Sequence, residues 1–157
     1  MSSTKLFIDS VKRIDNVIKR QTADLNHEDS MAQLPFPGNN MNWNLGHILV
    51  YRMRCLGFID GVSNADPGEF AVYGAGSPPL TDSSQAIPLE TLLQRLDDAS
   101  AQVIAALEAM PTERLAEIID PERGQTVEER LAFYLIFHET YHAGQLEPLR
   151  ELGLARH

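Results

Sequence analysis

The sequence predicts an all-α protein, a four-helix bundle with a long crossover between helices two and three. Four long stretches carry apolar residues at spacings of three and four, no stretch alternates apolar with polar residues as a half-buried strand would, and segments rich in proline and glycine separate the stretches. Amphipathic helices of this length bury their stripes against one another, which makes a bundle the natural architecture.

The first helix runs from residue 4 to about residue 25, with Leu6, Phe7, Val11, Ile14, Val17, Ile18 and Leu25 on the apolar side and Lys12, Arg13, Lys19 and Arg20 elsewhere. "LPFPGNN" then ends helical structure, because Pro35 and Pro37 lack donors and Gly38-Asn39-Asn40 suits a turn. The second helix is capped by Asn42 or Asn44 and runs to Asp60, where Gly61 stops it. Its apolar residues, among them Leu45, Ile48, Leu49, Met53, Leu56 and Ile59, cover most of its circumference, so it is central in the bundle or buried against a second subunit.

Residues 61–87 hold Gly61, Gly68, Gly74, Gly76, Pro67, Pro78 and Pro79 around Phe70 and Tyr73. A connection of this length is a lid or a linker; an ordered crossover with some mobility is expected. Pro88 suits the first turn of the third helix, which carries Leu89, Leu92, Leu93, Leu96, Val103, Ile104 and Leu107 to about Met110, before Pro111 ends it. "PTERLAEIIDPERGQ" is a connector with room for a short helical turn. Thr126 and Glu129 form a capping box for the fourth helix, which extends to Gly153, about 27 residues or ~40 Å. Its inward stripe is Val127, Leu131, Leu135, His138, His142, Leu146, Leu149 and Leu152, and Pro148 predicts a kink.

The 157 residues fit a single domain, 1–157, and 43% apolar with 22% charged residues is an ordinary globular balance. No run approaches the roughly 18 apolar residues that cross a bilayer, and the amphipathic N-terminus lacks the apolar block of a secretory signal. The formal net charge of −9 opposes nucleic acid and anionic membrane surfaces as partners. One cysteine, Cys55, excludes an intrachain disulfide and fits a reducing cytoplasm, and it leaves His, Asp and Glu as the metal ligands available.

"FHETYHAGQL" places His138 and His142 one helical turn apart inside an apolar stripe. Such a pair either converges on an ion or forms two hydrogen-bonded core histidines. His47, in "NWNLGHILVYRMRCLG", is a third imidazole among apolar residues, about one turn into the second helix. Buried without partners, each ring would leave polar atoms unsatisfied at about 1–3 kcal/mol per group, and a shared divalent ion removes that cost. His27 and His157 lie in a polar turn and at the C-terminus, where solvent suffices.

"NWNLGHIL" together with "HETYHAGQLEPLRELG" resembles the DinB/YfiT-like superfamily, and helix order and lengths agree over nearly the whole chain. The resemblance implies an up-up-down-down four-helix bundle, often a homodimer, with a divalent ion held by three histidines; zinc, nickel and iron all accept imidazole. His47 matches the family's histidine on helix two, and His138 and His142 match its His-x-x-x-His pair on helix four. The motif is specific for the superfamily and much less so for a reaction. It implies a metal-dependent thiol S-transferase that joins a low-molecular-weight thiol, such as bacillithiol or mycothiol, to a small electrophile. The alternatives are a non-catalytic metal- or small-molecule-binding stress-response module and a metal-dependent hydrolase.

For hydrolysis, "HETYH" has the His-Glu-x-x-His spacing, with Glu139 either reaching a metal-activated water or facing solvent. The third ligand downstream and the edge strand of a metalloprotease are both missing. Trp43 and Asn44 either shape the pocket mouth or pack. Tyr51 and Tyr141 are expected mainly as packing residues, and Gln145 is placed to orient an imidazole or a bound water. Gly144 would allow close helix approach, Cys55 is an inert core thiol, and Arg52 and Arg54 are expected in salt bridges within this acidic chain, the alternative being a substrate carboxylate.

Overall fold

The computed structural model describes residues 2–61 and 67–156. His157 and positions 62–66 of the crossover lie outside the described residues.

Ser2 caps α1 (Ser3–Thr22) by accepting from Lys5 N, and Phe7, Val11, Ile14 and Ile18 form its buried stripe. The helix stops three residues before Leu25, where Asp24 takes a left-handed φ of 64°. A single turn, α2 (His27–Ser30), follows on an Asn26/Asp29 capping box. Asn40, not Asn42 or Asn44, caps α3 (Met41–Asp60), its Oδ1 accepting from Trp43 N at 2.8 Å. Asn42 and Asn44 are buried and turned to partners elsewhere in the fold. Every residue from 41 to 52 is buried, as expected of a central helix.

The described part of the crossover contains α4 (Pro67–Phe70) and two 3₁₀ turns, Ala71–Tyr73 and Ser83–Gln85. Tyr73 ties it to α3. Its hydroxyl donates to Asn42 Oδ1 at 2.9 Å and accepts from Ile87 N at 2.7 Å, while Asn42 Nδ2 donates to Ile87 O and Asn40 Nδ2 to Leu80 O. The Tyr73 ring occupies the space over Gly46, where an added Cβ would come within 2.2 Å of Tyr73 Cδ1. Gly46→Ala is therefore expected to displace that ring and destabilise the fold by about 1–3 kcal/mol, the range for overpacking a filled core. A urea midpoint equal to that of the wild type would contradict this.

Pro88 is the N-cap of α5 (Leu89–Ala109), and a 3₁₀ turn, Thr112–Ala116, fills the expected place after Pro111. A two-stranded hairpin of β1 (Ile118–Asp120) and β2 (Gln125–Thr126) was not expected; its strands are too short to show alternation. The last helix opens on the expected Thr126/Glu129 capping box and passes through α6 (Val127–Leu131), a π-helical segment (Ala132–His138) and α7 (Glu139–Leu154), which continues across Pro148.

The π segment changes the expected inward face. Val127, Leu131, Leu135 and Glu139 are buried at a constant spacing of four. In a pure α-helix that stripe would drift by about 40° per step, and the wider π turns absorb the drift. Glu139 thereby enters the core and His138 stands half-buried beside it. At the far end Gly153, not Leu152, lies buried, close against Asp29.

The long helices pack as a ring in the order α1, α5, α3, α7. Ser10 donates to Leu135 O and Arg150 to Gln21 O, so α1 and the last helix run parallel. Asn44 meets His142 and Arg52 meets Glu139, so α3 runs opposite to α7; Lys19 meets Asp97 and Asp15 meets Ser100, so α5 runs opposite to α1. The order is up-down-down-up, which corrects the up-up-down-down expectation. Consecutive parallel helices need a connector that travels back along the bundle, and only the α3–α5 crossover does so. Among the described residues, no helix is long and apolar enough to cross a membrane.

Candidate metal centre

α3 presents His47 and the last helix presents His138 and His142 to one place. The ring centroids form a near-equilateral triangle with sides of 5.0, 4.6 and 4.7 Å. A ring nitrogen from each lies within 4.8 Å of the other two. All three residues singled out in the sequence are thus brought together.

The hydrogen bonds fix the tautomers of two rings. His47 Nδ1 lies 2.6 Å from Tyr73 O, and since a carbonyl only accepts, Nδ1 carries the proton and Nε2 holds a lone pair. His142 Nδ1 lies 2.8 Å from Asn44 Oδ1; the Asn44 amide is oriented because its Nδ2 donates to Asn39 O and Asn40 O, so His142 Nε2 is again the free lone pair. His138 Nε2 approaches His47 Nε2 at 3.1 Å, and His138 Nδ1 is buried without a hydrogen-bond partner.

That donor set suits a divalent cation: two lone pairs are held toward a common point by second partners, and the third ring keeps an unsatisfied nitrogen in either tautomer. Burial, with the neighbouring imidazoles, depresses His138 to about 4 and His142 to about 3, and burial lowers His47 as well. The rings are therefore neutral at pH 7, the form that binds metal.

A stability trend follows for metal-stripped protein. Unfolded histidines titrate near 6.5, so below that pH the unfolded chain takes up protons that folded His138 refuses until about 4 and folded His142 until about 3. Stability contributed by the neutral triad is complete above about pH 6.5 and is lost as the pH falls through these values. Chelated wild type and His142→Gln, compared by urea unfolding, should differ most above pH 6.5 and converge at lower pH. A difference that does not change with pH would refute the assignment.

Trp43 stacks on His47 at 4.4 Å and 16°, its Nε1 donating to Ser77 Oγ, so it packs and orients the His47 ring at once. Tyr51 stands edge-on to His47, whereas Tyr141 is 61% exposed beside His142. Gln145 makes no hydrogen bond to any of the three histidines. Gly144 faces open space and not a close helix contact. Cys55 is fully buried, and burial pushes its thiol up, in keeping with an inert residue. His27 is half-buried with an unpartnered Nδ1, not solvated as expected. Arg54 lies over the Tyr51 ring.

Glu139 neither faces solvent nor turns to the histidines. Both its oxygens accept from Arg52, Oε1 from Nε at 3.0 Å and Oε2 from Nη2 at 2.9 Å. Burial raises the Glu139 carboxyl and Arg52 pulls it back only in part; burial also opposes the Arg52 charge, but Glu139 and Asp15 hold the guanidinium protonated. Sequence reasoning missed this pairing and the Tyr73 carbonyl, because neither partner is near in sequence; the buried charge inside "LVYRMRCLG" was the available signal.

No curated protein matches the chain. In structure it is similar to a conserved protein from Enterococcus faecalis known from its crystal structure, with a TM-score of 0.75 and 17% identity over 99% of each chain. That likeness concerns the fold. The model of the DinB superfamily matches residues 9–146. The chain, carrying its three converging histidines within those limits, belongs to the DinB superfamily.

Proposed function

We propose that His47, His138 and His142 hold one divalent ion and that the protein is a metal-dependent transferase that joins a small thiol to an electrophile. The observation that carries this reading is the pair of Nε2 lone pairs fixed by Tyr73 O and Asn44 Oδ1 beside His138, whose Nε2 lies 3.1 Å from His47 Nε2 and whose Nδ1 has no partner. Three imidazoles leave coordination positions open, the arrangement of reactive and not closed structural sites. A bound divalent ion would supply Lewis acidity that makes a thiol a thiolate at neutral pH. The chain itself contributes three neutral donors, the Trp43 and Tyr51 rings packed against His47, and a His138 ring that is only half-buried.

Glu139 is withdrawn into its ion pair with Arg52, which removes the general base that hydrolysis would need from "HETYH". The same withdrawal favours a second reading, a non-catalytic metal- or small-molecule-binding module, because Glu139, Cys55 and the Tyr73 hydroxyl are all engaged or buried.

Chelation separates the two. Loss of turnover in a screen of small thiols against electrophiles, with the helical circular dichroism intact, supports the transferase. A lowered melting temperature with no turnover at any metal loading supports the module. The family also suggests a single-domain homodimer in the cytoplasm; sedimentation velocity tests the dimer. Metal analysis of protein from its native cell identifies zinc, nickel or iron better than affinity does, since affinity follows the Irving–Williams order.

A further inference from the structure

Arg52 is fully buried yet charged, and its guanidinium reaches all the other long helices. Nε and Nη2 donate to Glu139 on α7, while Nη1 donates to Asp15 on α1 and to Ser100 Oγ on α5. Asp15 also accepts from Ser100. The four residues form a polar layer between two apolar clusters, one containing Ile14, Tyr51, Ala99 and Ala143, the other Val11, Cys55, Val103 and Leu135. A buried ionic group in such a place is often no more stabilising than well-packed apolar residues, so its presence calls for a reason other than stability.

Position supplies one. Arg52 follows His47 by five residues on α3, and Glu139 is the residue after His138, where the π segment meets α7. A bidentate guanidinium–carboxylate pair fixes direction as well as distance. Locking Glu139 to Arg52 therefore sets the rotation and height of the π–α junction against α3, and with it where His138 stands relative to His47. An α-helical junction without this lock would be free to turn His138 away.

We propose that the Arg52–Glu139–Asp15–Ser100 clasp is the positioning device of the three-histidine centre: Arg52 and Glu139 do not ligate but hold His138 in register with His47 and His142. The proposal rests on the metal reading above and adds residues that the histidine motif does not include.

The test is Co²⁺ titration of the full chain, read by its d–d absorption, for wild type, Arg52→Met/Glu139→Leu and Arg52→Lys. The double variant removes one positive and one negative charge, so the local net charge is unchanged and a change in affinity reports geometry. It is expected to remain helical and to bind Co²⁺ about 10–100-fold more weakly, the usual range for losing outer support of ligands, with altered band positions. Arg52→Lys keeps the charge but not the fork, and should weaken binding by about threefold or more. If the double variant does not fold, Arg52→Lys decides. Folded variants with wild-type affinity and spectrum overturn the positioning role and leave the metal reading intact. Wild-type protein that takes up no Co²⁺ overturns both.

Discussion

His142→Ala should reduce bound divalent metal from near one ion per chain to near zero. The expectation comes from geometry: with the ring gone, His47 and His138 supply two donors, and two imidazoles seldom hold an ion against chelation when three are required for a defined site. His47→Ala and His138→Ala should do the same, since the triangle has nearly equal sides and no ring is peripheral. Asn44→Ala is the informative companion. It removes the acceptor that fixes the His142 tautomer without touching a ligand, and should weaken affinity by about 10–100-fold and not abolish it. Elemental analysis after dialysis reads the first effect and competition with a chromophoric chelator the second. Retention of a full equivalent of metal by all three alanine variants would dispose of the centre.

The helices and the triad were legible in the sequence because both rest on local spacing. Threes and fours of apolar residues mark α1, α3 and α5 to within a few residues, and the Thr126/Glu129 box marks the start of the last helix. His138 and His142 are one turn apart whatever the fold, so only their meeting with His47 needed tertiary structure. What stayed hidden is non-local. Asn40, Asn42 and Asn44 are equally good caps on paper; two of them are taken by Ile87, Tyr73 and His142, residues 31 to 98 positions away. The constant spacing of four from Val127 to Glu139 was visible, but only the observed π turns show that it means a widened helix and not a drifting stripe. Helix direction was legible in part: an up-up-down-down chain needs two long crossovers, and this sequence has one clear candidate.

Arg52→Met alone should destabilise the fold by about 3–5 kcal/mol, the range for breaking a buried ion pair from one side. Glu139 is completely buried and would be left with no partner of opposite charge, whereas Asp15 retains some solvent contact and Ser100. Against a total stability of about 5–15 kcal/mol this is a large fraction, and for a domain of this size it corresponds to a fall in Tm of about 6–20 °C. The pH dependence identifies the cause. Burial already raises the Glu139 carboxyl, and without Arg52 to offset it the raised value moves further up. The folded variant then binds a proton that the unfolded chain releases at lower pH, so the variant's deficit is greatest at high pH and shrinks as the pH falls through the raised value. Adding Glu139→Leu removes the orphaned charge and should recover most of the loss, because the penalty lies in the unpaired carboxylate and not in the missing attraction. A single variant within about 1 kcal/mol of wild type from pH 5 to 8, or a double variant no better than the single, would show that the pair is not the buried, dry contact that these distances describe.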